Sequence, residues 1–354
     1  MRGVDQNVLA KRLRLSRTTV SRSLSNHPAI SSETRERVQS LAAQLGYRTA
    51  PTRAVRRPRS AKPITIGVLI GAPLVSADRG TFPSILGGIR HRAGIEHAAV
   101  DVVSLDPGEY SVEAAQKHVF RLIRQAHWRG AILIYPFAAE FVRALAEKIS
   151  VVSVLTEYAD PGIDVIDTDH EGVGLLVRKL IGLGHRRIGF ATWHYPVGGL
   201  WAIRRFGAFA EAMVRGGADL DPRYVFNVGP NARHSLDTSA LADAVARAIQ
   251  HEGVTAWACA ADHQAYRLIA DLKARGLRIP EEVSITGFDG NEAPVGLPPL
   301  ATAAVPNEHI GEGAVAQLIS RLLYPRSPRR KILVATALVE GATVAEPSRT
   351  ATFA

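Results

Sequence analysis

Beyond residue 63 the chain alternates short β-branched apolar runs with stretches of helical period, and this alternation narrows the fold more than any other feature. The runs ITIGVLI (64–70), AVDVVSL (99–105), GAILIYP (130–136), VVSVLT (151–156), RIGFATW (187–193), YVFNV (224–228), TAWACA (255–260) and VSITGFD (283–289) read as strands. Helical patterns such as AAQKHVFRLIRQAH, EGVGLLVRKLIGLG and ALADAVARAIQHEG lie between them. A strand that returns parallel to its predecessor needs a crossover, so the pattern implies an α/β class with parallel sheets covered on both faces. The 354 residues allow two such sheets. Ligands of open parallel sheets bind outside the carboxyl ends of the strands, which makes a cleft between two lobes the expected site.

The N-terminal residues follow another rule. Val8, Leu9, Leu13 and Leu15 are spaced for one apolar helix face, and Ser16 is placed to cap a second helix from Arg17 to Leu24. Val20 and Leu24 then face inward, which leaves Arg17, Thr18, Ser21 and Arg22 outward. Ser31 or Ser32 caps a third helix, with Val38, Leu41, Ala42 and Leu45 as its packing stripe and Gly46 at its end. Residues 1–62 hold fourteen Lys and Arg against three Asp and Glu, a net +11, while the whole chain is +10. A basic excess confined to a small all-α helix-turn-helix module is the footprint of phosphate binding. Arg17, Thr18, Ser21 and Arg22 have the side chains that grip phosphate or read base edges; the bland alternative is an ordinary solvated face.

Other classes find no support. No apolar run approaches the roughly 20 residues that span a bilayer, and Met1 is followed by polar and basic residues, so a cytoplasmic, nucleoid-associated protein is expected. The lone Cys259 in WACAA reads as a buried small residue, and no metal or cofactor is expected. The sequence has no G-x-x-x-x-G-K-[ST], no G-x-G-x-x-G after the first strand, no G-x-S-x-G and no H-E-x-x-H, so catalysis is not expected either.

The runs SRTTVSRSLSN (16–26), ISSETRERV (30–38) and LGY (45–47) resemble the DNA-binding module of the LacI/GalR family of bacterial transcription regulators, which implies that Arg17 and Thr18 probe major-groove bases while Ser16, Ser21 and Arg22 mix phosphate and base contacts. The segments 168–190, with GHRRIGF, 204–209 (RRFGAF), 260–290 and 298–318 extend that resemblance to the family's effector core, which is similar to the periplasmic sugar-binding proteins. The resemblance implies a homodimer, or a higher assembly, that binds a pseudo-palindromic double-stranded operator as a repressor and answers to a small-molecule effector, a sugar or related metabolite. A ligand-independent repressor with a degenerate cleft is the alternative, and a solute-binding protein is a more distant one.

The expected layout is a helix-turn-helix domain (1–47), a basic linker (48–63), an effector and dimerisation core (64–345) and a tail (346–354). Within the core, the first lobe is set at about 64–168 plus 306–330 and the second at about 169–305 plus 331–345. The linker departs from the family, which places a leucine wedge where this chain has Arg56, beside Val55. Arg53, Arg56 and Arg57 either lie along a narrow minor groove or form a disordered basic tether.

For the effector, the family's R-x-x-G arginine falls on Arg204 and its G-F/Y-D aspartate on Asp289; the structural alternatives are a surface arginine and a turn cap. Both are expected just past the carboxyl end of a strand. Thr156, Asp262, Trp193, Tyr195, Trp201 and Phe82 are weaker candidates, the aromatics because a ring can stack on a sugar or base or belong to the core. His185 reads as a structural link between lobes. Ala261, Thr156 with Glu157, and Val305 replace polar residues common in relatives, which leaves the usual hexose network incomplete.

Overall fold

The computed structural model describes residues 6–24, 30–44, 63–71, 81–105, 111–193, 200–228 and 235–348. The chain divides into two compact units, Met1–Lys62 and Pro63–Ala354. Arg53, Val55, Arg56 and Arg57, together with Leu45, Gly46 and Tyr195, lie outside the described residues.

The first unit contains helices α1 (Gln6–Leu13), α2 (Arg17–Leu24) and α3 (Ser32–Gln44). Leu9, Ala10, Val20, Val38 and Ala42 form its core, with Leu13, Leu15, Leu24 and Leu41 packed against it. Val8, expected on the apolar face, is 39% exposed; Ala10 takes the inward position next to Leu9. Between α1 and α2 the chain reverses through Arg14, whose φ is 53°, while the Leu15 amide donates to the Ala10 carbonyl at 3.0 Å. The Ser16 hydroxyl accepts from the Thr19 amide at 3.0 Å and so caps α2. Ser31, rather than Ser32, does the same for α3, accepting from the Thr34 amide at 3.3 Å.

The second unit is built on two six-stranded sheets. The first holds β1 (Ile64–Ile70), β2 (Ala98–Ser104), β3 (Trp128–Ile134), β4 (Ser150–Val154), β5 (Asp164–Thr168) and β11 (Lys331–Val334), in the order β11-β5-β4-β3-β1-β2. The second holds β6 (Ile188–Ala191), β7 (Val225–Phe226), β8 (Ala256–Cys259), β9 (Ser284–Asp289), β10 (Ala301–Ala304) and β12 (Ala337–Val339), in the order β12-β10-β9-β8-β6-β7. Described pairs are parallel except β10 with β12. Helices α4 (Thr81–Ile95), α5 (Val112–Gln125), α6 (Ala139–Ala146) and α11 (Asn307–Leu323) accompany the first sheet. Helices α7 (Glu171–Gly182), α8 (Leu200–Arg215), α9 (Thr238–Glu252) and α10 (Asp262–Ala274) accompany the second. Both sheets are therefore parallel-dominated and sandwiched between helices, as an α/β class requires.

The chain passes between the lobes three times, after Thr168, after Ala304 and after Val334. The third passage corrects the expected boundary: Lys331–Val334 pairs in parallel with β5 and belongs to the first lobe, and only β12 joins the second sheet. The reason is local. Ile332, Leu333 and Val334 form an extended run that completes the edge beside the apolar β5, before the chain turns across to Ala337.

The two lobes repeat one packing device. Gly67 on β1 lies beneath the Trp128 indole and Gly189 on β6 beneath Trp257; a Cβ at either glycine would overlap the ring. Both tryptophans start or occupy the strand next to that glycine, and both are buried. At the amino end of β5, the buried Asp164 carboxylate accepts from Arg321, Gln317 and the Arg330 amide, which fastens α11 and the approach to β11 onto the first sheet.

Candidate nucleic-acid interface and interlobe cleft

On α2, Val20 and Ser23 face the core, and the Ser23 hydroxyl turns back to the Thr19 carbonyl at 2.8 Å. Helical geometry then carries Arg17, Thr18, Ser21 and Arg22 to the opposite face, and all four, with the capping Ser16, are exposed. Lys11, Arg12 and Arg14 are exposed as well, which adds cations from the end of α1 and the turn after it to the short polar side chains of α2. An exposed helix of that chemistry fits a major groove: guanidinium groups pair bidentately with guanine or with phosphate, and hydroxyls contact either.

In the second unit the lobes meet beyond the carboxyl ends of β4 and β5, where Arg204 of the second lobe reaches Glu157 and Asp167 of the first, and this seam is the interlobe cleft. On the first lobe, Phe82 in the first turn of α4 is half-buried and meets the Tyr135 ring edge to face, centroids 6.4 Å apart. Thr156, half-buried just beyond β4, precedes Glu157. On the second lobe, Trp193 follows β6 and meets the His263 ring at 5.0 Å. Phe82, Trp193 and Trp201 each also pack on the core of their own lobe.

Arg204 and Asp289 are not placed alike. Asp289 is the last residue of β9, with φ 134°, whereas Arg204 sits inside α8 rather than just past a strand. Arg204 reaches across to the first lobe, donating to Asp167 at 2.7 Å and to Glu157. Asp289 accepts from the residue after Arg204, Arg205, at 3.1 Å. Arg205 is buried between the Trp201 and Phe288 rings, 4.7 and 3.9 Å from its guanidinium carbon, and donates to the Ala260 carbonyl at 2.5 Å. A guanidinium tolerates such a site because ring faces and fixed acceptors replace its hydration.

Asp262, expected as a ligand residue, is turned into its own lobe. Its two oxygens accept from the Gly290 and Asn291 amides, both at 2.7 Å, and from the Thr302 hydroxyl at 2.6 Å. It therefore pins the loop after β9 to β10, and burial raises its pKa despite those bonds. His185 bonds Thr255 at 2.8 Å and the Ala345 carbonyl at 2.9 Å, linking parts of the second lobe rather than the two lobes.

Several cleft groups lay outside the sequence expectations. Glu157 also accepts from Lys331 at 2.8 Å and Arg329 at 3.2 Å, and the Lys331 bond leads the lowering of its pKa. Asp167 is buried, accepts from the Thr168 amide, and has its pKa raised by burial. His170 stands at the start of α7 with both ring nitrogens buried and without a hydrogen-bond partner, Nε2 lying 4.0 Å from Asp167. Burial, then the charges of Arg205 and Arg204, pushes its pKa down to about 3. The doubled arginine and the acids in IDVIDTD were visible in the sequence, but not which of them meet. Among the described residues no group of His, Cys, Asp and Glu could hold a metal ion. A cavity of about 700 Å³ lies elsewhere, at the amino ends of β3 to β5, where the buried carboxylate of Asp164 is already satisfied.

The described geometry agrees with what comparisons with known proteins find. Residues 9–50 match the model of the bacterial regulatory proteins, lacI family, and residues 177–344 match the periplasmic binding protein-like domain. The chain is 25% identical over 328 residues to the HTH-type transcriptional repressor PurR of Aliivibrio salmonicida (strain LFI1238), covering 91% of this chain and 93% of that protein. It is 25% identical over 336 residues to the HTH-type transcriptional repressor CytR of Escherichia coli (strain K12), covering 89% and 88%. In fold it is similar to the lac repressor dimer bound to operator and the anti-inducer ONPF, with TM-score 0.62, 23% identity and coverage of 97% and 100%. The complex of the transcriptional regulator CelR with cellobiose is similar to the same degree, with TM-score 0.64, 20% identity and coverage of 96% and 99%.

Proposed function

The chain belongs to the lacI family of bacterial regulatory proteins, and we propose from that premise that α2 reads operator DNA while the interlobe cleft binds the molecule that tunes it. The protein is a sequence-specific, DNA-binding transcriptional regulator of the repressor type, acting as a dimer on a pseudo-palindromic operator. The observation that carries this reading is the exposed face of α2, with Arg17, Thr18, Ser21 and Arg22 together on a unit of net charge +11. Arg17 and Thr18 meet base edges, while Ser16, Ser21 and Arg22 mix phosphate and base contacts.

Regulation follows from two lobes joined by three short passages. A ligand changes DNA affinity only by binding one lobe arrangement better than another. Arg204 and Asp289 border the ligand, with Trp193 and Phe82 as ring faces and Thr156 as a hydroxyl; Asp262 supports the site from behind. Sugars bound by structural relatives, such as cellobiose in CelR, support a small polar effector class. The relatives are transcriptional repressors, which supports a role without catalysis and a cytoplasmic location. Among the described residues no helix is long and apolar enough to cross a membrane. Selection of random duplexes by the full chain, followed by sequencing, tests the reading: enrichment of a motif with two-fold symmetry supports it, and recovery of unenriched DNA overturns it.

A further inference from the structure

The interlobe cleft already holds a cation supplied by the chain. Arg204 rises from α8 on the second lobe, and both of its acceptors, Glu157 and Asp167, belong to the first. One guanidinium nitrogen serves each carboxylate, so the fork clamps across the cleft rather than along one lobe. We propose that Arg204, Glu157 and Asp167 form a latch between the lobes, and that the effector is a small oxyanion, a carboxylate or phosphate compound, that draws Arg204 away from them. This rests on the regulatory reading above and names the ligand class and the mode of regulation of its cleft.

The surroundings favour an anion over a neutral polyol. Glu157 keeps Lys331 and Arg329 when Arg204 leaves, and Asp167 keeps the Thr168 amide and the nearby positive charges of Lys331 and Arg205. The first lobe is thus equipped to lose this guanidinium. The guanidinium itself is less well provided for within its own lobe. Asp289 is held by Arg205, and Asp262 by two amides and a hydroxyl, so neither is a substitute. An incoming carboxylate or phosphate replaces what Arg204 gives up with bonds of the same charge-assisted kind. A sugar hydroxyl offers the guanidinium a dipole but neither an opposing charge nor a bidentate match, and so binds with the latch still closed. Because the pair spans the lobes, removing it changes their relative free energy, which is the differential term that a switch needs.

The test is an interlobe distance measured by pulsed electron paramagnetic resonance on the full chain, spin-labelled at Gln125→Cys on α5 and Gln250→Cys on α9. Both positions are exposed, and the native Cys259 is buried with its thiol pushed up to about 12, so labelling is confined to the introduced sites. Dilution with unlabelled protein isolates distances within one protomer. The latch predicts that Arg204→Ala shifts the distribution to longer, broader distances, and that Glu157→Gln with Asp167→Asn does the same. Citrate or inorganic phosphate should reproduce that shift in the parent and add nothing to Arg204→Ala, while glucose leaves the parent unchanged. The latch is overturned if Arg204→Ala superimposes on the parent, or if glucose moves the lobes and neither anion does. Should Arg204→Ala not fold, Arg204→Lys keeps the charge, loses the fork and is read by the same criteria. Duplex binding by the same samples separates the two readings: a parent that binds its selected duplex with unresponsive lobes refutes the latch alone, and a parent that selects no duplex refutes the regulatory reading.

Discussion

The guanidinium carbon of Arg205 lies 3.9 Å from the centroid of the Phe288 ring, on the side of the cleft opposite to the acids that hold Arg204. Two consecutive arginines on α8 therefore do different work: one crosses the cleft, and the other is a buried strut that joins Ala260, Phe288 and Asp289 within one lobe.

Arg205→Ala should remove about 3 kcal/mol or more of stability from the second unit, because it takes the donor from the Ala260 carbonyl and empties the buried space between the Trp201 and Phe288 rings. Arg204→Ala should lose less, because Glu157 keeps Lys331 and Arg329 and Asp167 keeps the Thr168 amide. Denaturant unfolding of both variants checks the order; equal losses would contradict the assignment of roles.

Acid should weaken the second unit through His170. Its folded pKa of about 3 lies below the ordinary 6.5, so the unfolded chain binds more protons and stability falls as pH drops below 6.5. His185, also lowered by burial, adds to the same decline. Asp167 and Asp262, raised by burial, oppose it at lower pH because the folded state takes up their protons first. The effect of His170 is therefore cleanest just below 6.5, and His170→Phe should make the unfolding midpoint less steep there. An unchanged slope would show that this ring is not buried in its neutral form.

Gly67→Ala should destabilise the first lobe by about 1 to 3 kcal/mol, because the new methyl enters the volume of the Trp128 ring. Trp128→Leu combined with Gly67→Ala should recover part of that loss, and a double-mutant cycle on thermal unfolding measures the coupling. Additive effects would mean that the ring does not define the space above the glycine.

Ser16→Ala should cost about 1 kcal/mol in local stability of α2, since the Thr19 amide loses its acceptor. Faster amide exchange confined to residues 17–24, with weaker DNA binding, is the expected signature. Unaltered exchange there would contradict the capping role.

Eight strands and the alternation that implies two parallel sheets were readable from β-branched runs, and so was the outward face of α2 from its period. Strand β5 was not, because its DVIDT carries two charges that look unfit for a sheet; their partners, Arg321 and Arg204, lie far away in the sequence. Strand β10, ATAA, has little β-branched signal, and β11 and β12 are edge strands whose register comes wholly from β5 and β10. In the cleft, R-x-x-G marked Arg204, but adjacent helical residues point about 100° apart, so only packing decides that Arg205 and not Arg204 meets Asp289. The sequence marked Asp262 as a weaker ligand candidate but not as a residue whose acceptors are taken by Gly290, Asn291 and Thr302.

The central claim is that α2 carries the reading of DNA. Fluorescence anisotropy of the selected duplex with the full chain, and with Arg17→Ala and Arg22→Ala together, tests it most directly. The account predicts that the double variant loses discrimination between the selected duplex and a scrambled one, at about 1 to 3 kcal/mol for each base-reading arginine. Undiminished discrimination by the double variant would contradict it.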